Sequence, residues 1–298
     1  GSAQTSFAYR VVAPHRGFFA LGPLHLSCGD LFGIARAAMD EPEIGYLTAY
    51  PPVRPVPPIR LPSNRPLGDV RTRRRIQEDP TRMVGVRDYR PGDNLARIHW
   101  KATARSGALI SKVFEPSCDI EVAVVLNLAR EDYPGEEAPV ELACTTAASV
   151  VAGLLMARDT VSLSSNGADA AVRLGVARPA LPELRAERNA AQLPAMLALL
   201  ARLELAEHAP LGAYLTEVHA RLPWTSTLLL ITHRLSEEAG EALDRLQRAG
   251  FALALIVVGD DETAQAAVRR AAALNILTAG VKTEEQLGLL EFWRPGRH

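Results

Sequence analysis

The stretch TLLLITHRLSEEAGEALDRLQRAGFALALIVV, residues 227–258, decides the fold of this chain. It begins and ends with apolar runs, Thr227–Thr232 and Ala252–Val258, which have the length and composition of strands buried on both faces. Residues 236–249, which lie between these runs, are predicted to form an amphipathic helix. A strand, a helix and a second strand in this order indicate two parallel strands joined by a helix that packs on the sheet.

The same alternation extends in both directions from this unit. Residues 120–128, IEVAVVLNL, are predicted to form another buried strand, and a helix over residues 140–157 follows it. Residues 160–165 and 168–174 flank Asn166-Gly167, a dipeptide typical of hairpin turns, and are predicted to pair as an antiparallel addition to the sheet. The fold class is therefore α/β, with a doubly wound, mostly parallel sheet. Further helices are expected over residues 189–204, 211–221 and 262–273, and weaker elements over residues 275–278 and 283–290.

The pattern before residue 66 is different. Residues 7–13, 17–28 and 44–50 predict short strands and hence a small N-terminal antiparallel β domain. Seven prolines between residues 51 and 66 exclude a helix or a central strand there and predict an extended connector. These changes in pattern divide the chain into an N-terminal β-rich domain with the connector, a basic segment and an α/β domain, over residues 3–66, 67–118 and 119–292.

Charge is distributed unevenly along the chain. Residues 71–112 carry 11 lysines and arginines against 4 aspartates and glutamates, although the net charge of the whole chain is −1. No apolar run reaches the roughly 18 residues that a membrane span requires, and residues 144–157 are predicted to form a buried helix. The three cysteines are far apart and form no Cys-x-x-Cys pair, which indicates free thiols in a reducing compartment. The charge polarity therefore bears on binding partners rather than on the fold.

The most informative part of the basic segment is GVRDYRPGDNLARIHWKATARSGALISKVFE, residues 85–115. Asp93 is predicted to cap a helix that runs to about residue 105 between two strands. On that helix Leu95, Ile98 and Ala102 would form the face that packs in the core.

Basic residues recur on another face of the same predicted helix, with Trp100 beside them and away from the core. This face is interpreted either as a site for a partner or an anion, or as a solvated network of ion pairs in which Trp100 joins two domains. Direct binding of nucleic acid is not expected, because few aromatic residues are interleaved with the basic ones. The candidate binding residues are Arg87, Arg90, Asp93, Arg97, Trp100, Lys101 and Arg105.

Three consecutive motifs of this segment carry a resemblance to a known family. They are Arg87-x-Tyr89-x-Pro91-Gly92-Asp93, Arg97-Ile98-x-Trp100-Lys101 and Ala104-Arg105-x-Gly107-x-Leu109. Through them the chain resembles the bacterial and archaeal domain-of-unknown-function 58 proteins. The resemblance implies a C-terminal von Willebrand factor A-like domain, two membrane-spanning helices ahead of the β-region and association with a MoxR-type AAA+ ATPase. The soluble part is expected to face the cytoplasm.

Domains of the kind that the resemblance implies often hold a metal ion through Asp-x-Ser-x-Ser after their first strand. The corresponding residues here are Asn127, Ala129 and Glu131. A hard cation prefers clustered carboxylate oxygens, which one amide and one glutamate next to an arginine do not supply. We therefore expect no Mg²⁺ or Mn²⁺ at these positions, and no cofactor.

The remaining motifs favour an interaction protein over an enzyme. The histidines and cysteines show no zinc-binding spacing, and the sequence contains no nucleophile elbow and no phosphate-binding or dinucleotide-binding fingerprint. Asp260 and Asp261 end a predicted strand and are candidates for acidic docking residues. The expected function is a non-enzymatic, membrane-tethered adaptor that docks a MoxR-type AAA+ ATPase through a metal-free von Willebrand factor A-like domain and a basic helix. The alternative is a sensor or enzyme that binds an anionic ligand through the arginine cluster.

Overall fold

The computed structural model describes residues 8–30, 36–62, 77–90, 93–117, 121–135, 138–187, 189–223 and 226–293. Residues 71–76 of the basic segment, residues 91–92 of the predicted turn and Cys118 lie outside the described residues. The chain divides into two compact units, one formed by residues 1–64 with residues 121–298 and the other by residues 65–120.

The N-terminal region contains two antiparallel strand pairs, which confirms antiparallel β structure there. The predicted strand over residues 7–13 was wrong, because residues 8–13 form no strand, and Arg36–Glu41 is a strand that was not predicted. Strand β1 (Gly17–Leu21) pairs with β4 (Gly45–Ala49), and β2 (Leu24–Gly29) pairs with β3 (Arg36–Glu41). The proline-rich residues 51–62 that follow form neither helix nor strand.

This proline-rich connector lies against the α/β domain within the same compact unit. The Arg54 amide donates to Ser149 Oγ at 2.9 Å, and the Arg54 guanidinium pairs with Glu284 at 2.9 Å. Val56 packs on the core above Gly153, where any Cβ would come within 2.5 Å of Val56 Cγ2. The connector is therefore part of the folded unit.

The second unit is built on a long hairpin. Strands β5 (Gln77–Asp88) and β6 (Ile110–Ser117) are antiparallel, and helix α1 (Trp100–Ser106) lies between them in the chain. The prediction of one helix from Asp93 to residue 105 was wrong, because the His99 amide donates to Ile110 O at 2.8 Å and so ties the chain to β6.

The interruption separates a short 3₁₀ turn, Leu95–Arg97, from α1. Asn94 caps the turn, and His99 Nδ1 caps α1 by accepting from the Ala102 amide at 3.1 Å. Arg97 therefore does not share a helix with Lys101 and Arg105. The prediction that these basic residues recur on one face of a single helix was also wrong. Of the predicted core face, Ile98 is buried but Leu95 is 64% exposed.

The α/β unit is built on six described strands in the order β10-β8-β7-β12-β13-β14. Every neighbouring pair is parallel except β10 with β8, which confirms the doubly wound, mostly parallel sheet. The strands are β7 (Glu121–Leu126), β8 (Thr160–Ser165), β10 (Glu183–Glu187), β12 (Thr227–Thr232), β13 (Ala252–Val258) and β14 (Leu277–Val281). A separate short pair joins β9 (Ala168–Asp169) to β11 (Leu203–Glu204).

Helices cover both faces of the sheet and enclose a core on each side. Helix α2 packs in one core, and helices α5, α6 and α7 pack in the other. By length and composition alone α2 could cross a membrane, but most of it is buried as the central helix of its core. The helices are α2 (Ala138–Met156), α3 (Ala170–Arg173), α4 (Leu193–Arg202), α5 (Leu211–Arg221), α6 (Glu237–Arg248) and α7 (Glu262–Ala273).

The predicted hairpin at Asn166-Gly167 was wrong. The chain does not fold back on β8; instead β9 pairs with β11, and the antiparallel strand of the sheet is β10. Asn166 is not a turn residue facing solvent but is 4% exposed, with its side chain bonded to Leu128, Asn127 and Ala209. Gly167 is required because a Cβ there would lie 2.8 Å from Glu204 O.

Candidate functional site

The carboxyl edge of the sheet is the candidate site. From β7 the chain continues to β8 on one side of β7 in the sheet, and it later returns to form β12 on the other side of β7. The direction in which strands are added therefore reverses between β7 and β12. In open α/β sheets ligands bind at this switch point, outside the carboxyl ends of the strands. Asn127 directly follows β7, and Thr232 is the last residue of the neighbouring β12.

A buried amide lies at the centre of this edge. Asn127 Nδ2 donates to Asp132 Oδ2 at 2.8 Å and to Thr232 Oγ1 at 2.9 Å. Asn127 Oδ1 accepts from Asn166 Nδ2 at 2.8 Å and from the Ala129 amide at 3.2 Å. All four side-chain hydrogen-bonding positions of the amide are therefore occupied by protein groups, in a site that is closed to water.

The residues present do not fit a divalent cation. The Asn127 nitrogen points at the carboxylate and hydroxyl oxygens that a cation would need, and Ala129 offers no side-chain oxygen. Glu131 is exposed, whereas Asn127 and Ala129 are buried, so the three corresponding positions do not converge. Across the described residues, no group of three or more His, Cys, Asp or Glu side chains is arranged to hold a metal ion.

Asp132 is the one carboxylate of this network. It is 1% exposed, and its Oδ1 has no hydrogen-bond partner among the described residues. Burial raises the pKa of Asp132 above its usual value, although the hydrogen bond from Asn127 acts in the opposite direction. The ionised form of Asp132 is therefore costly to bury.

Replacing Asp132 by asparagine should remove a pH dependence of stability. Because folding raises the pKa of Asp132, the stability that this group contributes is complete below its unfolded value of 3.8 and is lost as the pH rises through the folded value. The melting temperature of Asp132→Asn relative to wild type should thus increase by roughly 2–4 °C between about pH 4 and 7. Thermal melts across this range measure the difference, with Asp244→Asn as a surface control. If the difference in melting temperature between Asp132→Asn and wild type were the same at every pH, the raised pKa of Asp132 would be contradicted.

A cleft of about 620 Å³ opens beside the network at the carboxyl ends of β12, β13 and β14. His233 forms part of its wall and is held on three sides. Its Nδ1 lies 2.8 Å from Val258 O, its Nε2 lies 3.3 Å from Asp261 Oδ2, and its ring stacks on Tyr133 at 5.6 Å. Nδ1 is therefore hydrogen-bonded to a backbone carbonyl, and Nε2 lies near a carboxylate.

Other charged groups around this cleft are also paired with each other. Asp261 caps α7 through the Ala264 amide at 2.9 Å. Burial alone would raise the pKa of Asp261, but this hydrogen bond and the nearby His233 lower it below the usual value. Several polar groups of the cleft are thus paired, and Leu142 and Pro139 are among its apolar walls. The ion pairs are Arg16–Glu141, Arg54–Glu284, Lys282–Asp260 and His233–Asp261.

The arginine cluster lies in the second unit, on the hairpin and α1. Arg87 binds Asp93 with both terminal nitrogens, at 2.7 and 2.8 Å, and Asp93 also accepts from the Arg90 amide at 3.0 Å. The hydrogen bond from Arg87 is the largest cause that lowers the pKa of Asp93. Asp93 is therefore the partner of Arg87 and not a helix cap.

The other predicted residues of the cluster are on the surface. Arg97 is half-buried, Lys101 and Arg105 are exposed, and Trp100 is 67% exposed. The cleft at the carboxyl edge contains none of them. Trp100 and Arg105 are thus exposed residues of types that are enriched at protein interfaces, whereas lysine is depleted there.

Sequence reasoning missed Asp132, Tyr133 and Asn166 as residues of the site. A usable signal was present for Asn166, because it follows β8 as Asn127 follows β7. Carboxyl ends of neighbouring parallel strands meet at the same edge, so polar residues in these positions come together. Asn166 was instead assigned to a hairpin turn on the strength of the glycine that follows it.

These features define a doubly wound α/β domain with a closed amide network at the carboxyl edge of its sheet. The chain belongs to the family "Protein of unknown function DUF58", whose model matches residues 85–264. No curated protein matches the chain. Among solved structures it is similar to a von Willebrand factor type A from Catenulispora acidiphila, with 16% sequence identity and a TM-score of 0.38. The match covers 60% of this chain and 42% of that one, so it spans less than half of the solved protein.

Proposed function

We propose that this protein is a non-enzymatic interaction module that docks a protein partner at the carboxyl edge of its sheet, without a bridging metal ion. A DUF58 protein with this fold fits a protein-interaction module. The observation that carries the proposal is the closed amide network of Asn127, which completes the edge with protein groups alone.

The chemistry of the cleft supports docking rather than catalysis. General acid–base catalysis needs a titratable group that can reach a substrate proton. His233 Nδ1 is held by a backbone carbonyl, its Nε2 lies 3.3 Å from Asp261 Oδ2, and the carboxylates around it are paired or cap a helix. Paired charged groups that border apolar walls are consistent with the polar rim of a protein interface.

We assign the partner to the MoxR-type AAA+ ATPases, on the strength of the motifs shared with the family. The full-length protein would be tethered to the membrane, with this part facing the cytoplasm. Trp100, Lys101 and Arg105 would form a second contact, since tryptophan and arginine are the side chains that most often dominate binding energy at interfaces. Fractionation of the full-length protein tests the tether independently of partner binding.

The anionic-ligand alternative has weaker support. A guanidinium that recognises phosphate or carboxylate offers two parallel donors. The Arg87 donors are already used in this way by Asp93. The interaction module is therefore better supported than an anion site.

Purified protein should bind a purified MoxR-type ATPase in at least one of three states: without nucleotide, with ADP or with a slowly hydrolysed ATP analogue. Pro134→Arg, at the exposed rim of the cleft, should weaken binding roughly 10-fold or more by obstructing it. Gln247→Arg, at the amino end of the sheet, should leave the affinity unchanged. Biolayer interferometry measures both. Absence of binding in every nucleotide state would remove the ATPase as partner, and equal effects of the two variants would remove the cleft as the docking site.

A further inference from the structure

Asn127 connects three separate segments of the carboxyl edge through one side chain. Its amide reaches Asp132 in the loop after β7, Thr232 at the end of β12 and Asn166 after β8. These residues are 5, 105 and 39 positions away in the chain. In a buried site such hydrogen bonds are strong, and an unpaired member is costly.

The backbone of Asn127 is fixed as well. Its amide nitrogen donates to Ile231 O at 2.9 Å, and its carbonyl accepts from the Tyr133 hydroxyl at 2.8 Å. Burial raises the pKa of Tyr133 far above its usual value, so this hydroxyl keeps its proton and remains a donor. The adjacent Leu128 amide donates to Asn166 Oδ1 at 2.7 Å. Asn127 therefore has little freedom to move.

The orientation of the Asn127 amide follows from its partners. The Thr232 hydroxyl donates to Arg234 O at 2.6 Å, so its oxygen is left to accept from Asn127. On the other side, Asn127 Oδ1 faces two N–H donors, which would repel a cation. A carboxylate in place of the amide would put an oxygen 2.8 Å from Asp132 Oδ2, like charge against like charge. Only a group that both donates and accepts satisfies all four partners.

We propose that Asn127 is a positioning residue whose carboxamide does the structural work of a bridging cation and holds the carboxyl edge in one conformation whether or not divalent ions are present. The importance of this edge for docking rests on the proposed function, but the role of Asn127 does not. A partner that hydrolyses a Mg²⁺-bound nucleotide would then change its own conformation during hydrolysis, while the conformation of the docking edge would not depend on Mg²⁺.

The melting temperature of the isolated protein tests this role without any partner. Wild type should melt within about 1 °C of the same temperature in EDTA, Mg²⁺, Ca²⁺ or Mn²⁺, because a ligand that does not bind does not stabilise. Asn127→Asp should lower the melting temperature by roughly 6–15 °C at neutral pH through repulsion with Asp132. The loss should shrink on acidification, as one of the two carboxylates takes up a proton. Asn189→Ala, which removes an exposed cap, is the matched asparagine control.

Thr232→Val keeps the test usable if Asn127→Asp does not fold. This variant removes one acceptor of the amide and should lower the melting temperature by roughly 2–6 °C. Hydrogen exchange should speed up at the Ala129 and Leu128 amides but not at Phe251, which is bonded at the amino end of the sheet. A general structural role would not confine the effect to the carboxyl edge.

Two results would overturn the inference. One is a saturable rise in the wild-type melting temperature with Mg²⁺ that Asn127→Ala abolishes, since a cation would then occupy the edge. The other is an Asn127→Asp variant as stable as wild type at neutral pH. Failure to bind the ATPase, with these melting results as expected, would remove the ATPase as partner and leave the role of Asn127 intact.

Discussion

Gly259→Ala is expected to lower the free energy of unfolding of the α/β unit by about 3–5 kcal/mol, from backbone strain and steric overlap together. Gly259 follows β13 with φ +104°, a conformation that residues with a Cβ rarely adopt. A Cβ there would lie 2.8 Å from His233 Nδ1 and 3.0 Å from Cε1. The imidazole cannot retreat, because it is 3% exposed, held by Val258 O and stacked on Tyr133.

Gly250→Ala separates the two causes. Gly250 also has a positive φ, +92°, but a Cβ there would meet nothing within 4 Å. The control should therefore lose only the conformational part, about 1 kcal/mol. Urea unfolding of both variants measures the difference. Equal losses would show that the contact between Gly259 and His233 does not constrain the wall of the cleft.

Gly153→Leu should release the connector, residues 51–62, from the α/β domain while α2 stays folded. The new side chain would occupy the space of Val56, a partly buried, stiff β-branched side chain that packs against the core. Because leucine favours helix over glycine by up to about 1 kcal/mol, α2 itself should not be weakened. Exchange of the Arg54 amide, which is bonded to Ser149, should accelerate roughly 10- to 100-fold.

Gly288→Ala is the matched control on the other side of the connector. A Cβ at Gly288 would lie 4.0 Å from Pro55 O, an ordinary contact that the connector can accept. Its Arg54 amide should exchange as in wild type. If Gly153→Leu leaves Arg54 protected as well, the connector is held mainly by the Arg54–Glu284 pair and not by the packing of Val56.

Local pattern was sufficient where burial is two-sided. The runs Thr227–Thr232 and Ala252–Val258 are buried along their whole length, as a strand between two helix layers must be. The failed metal motif could also be recognised locally, since no fold can supply a side-chain oxygen to Ala129.

Local pattern failed where a distant segment competed for the backbone. The spacing of apolar residues from Leu95 onward predicted one continuous helix. Ile98 and His99 pair with β6 instead, so the helix begins only after them. Asn166-Gly167 is a dipeptide typical of hairpin turns, but it forms no hairpin here. The Asn166 side chain instead bonds Asn127 and Leu128, which are distant in sequence. The sequence shows that asparagine and glycine are adjacent at residues 166–167, but it does not show the distant groups that bind the Asn166 side chain.

Sequence alone determined that this chain forms a doubly wound α/β domain preceded by antiparallel strands, because the period and length of apolar runs dictate which elements can bury them. It also showed that Asn127, Ala129 and Glu131 depart from the Asp-x-Ser-x-Ser pattern. Only the tertiary structure decided which groups surround Asn127: its four partners come from three segments that meet only when the parallel strands align at one edge. A hydrogen bond forms between groups that are close in space, and the distance between two residues along the chain does not reveal whether they are close.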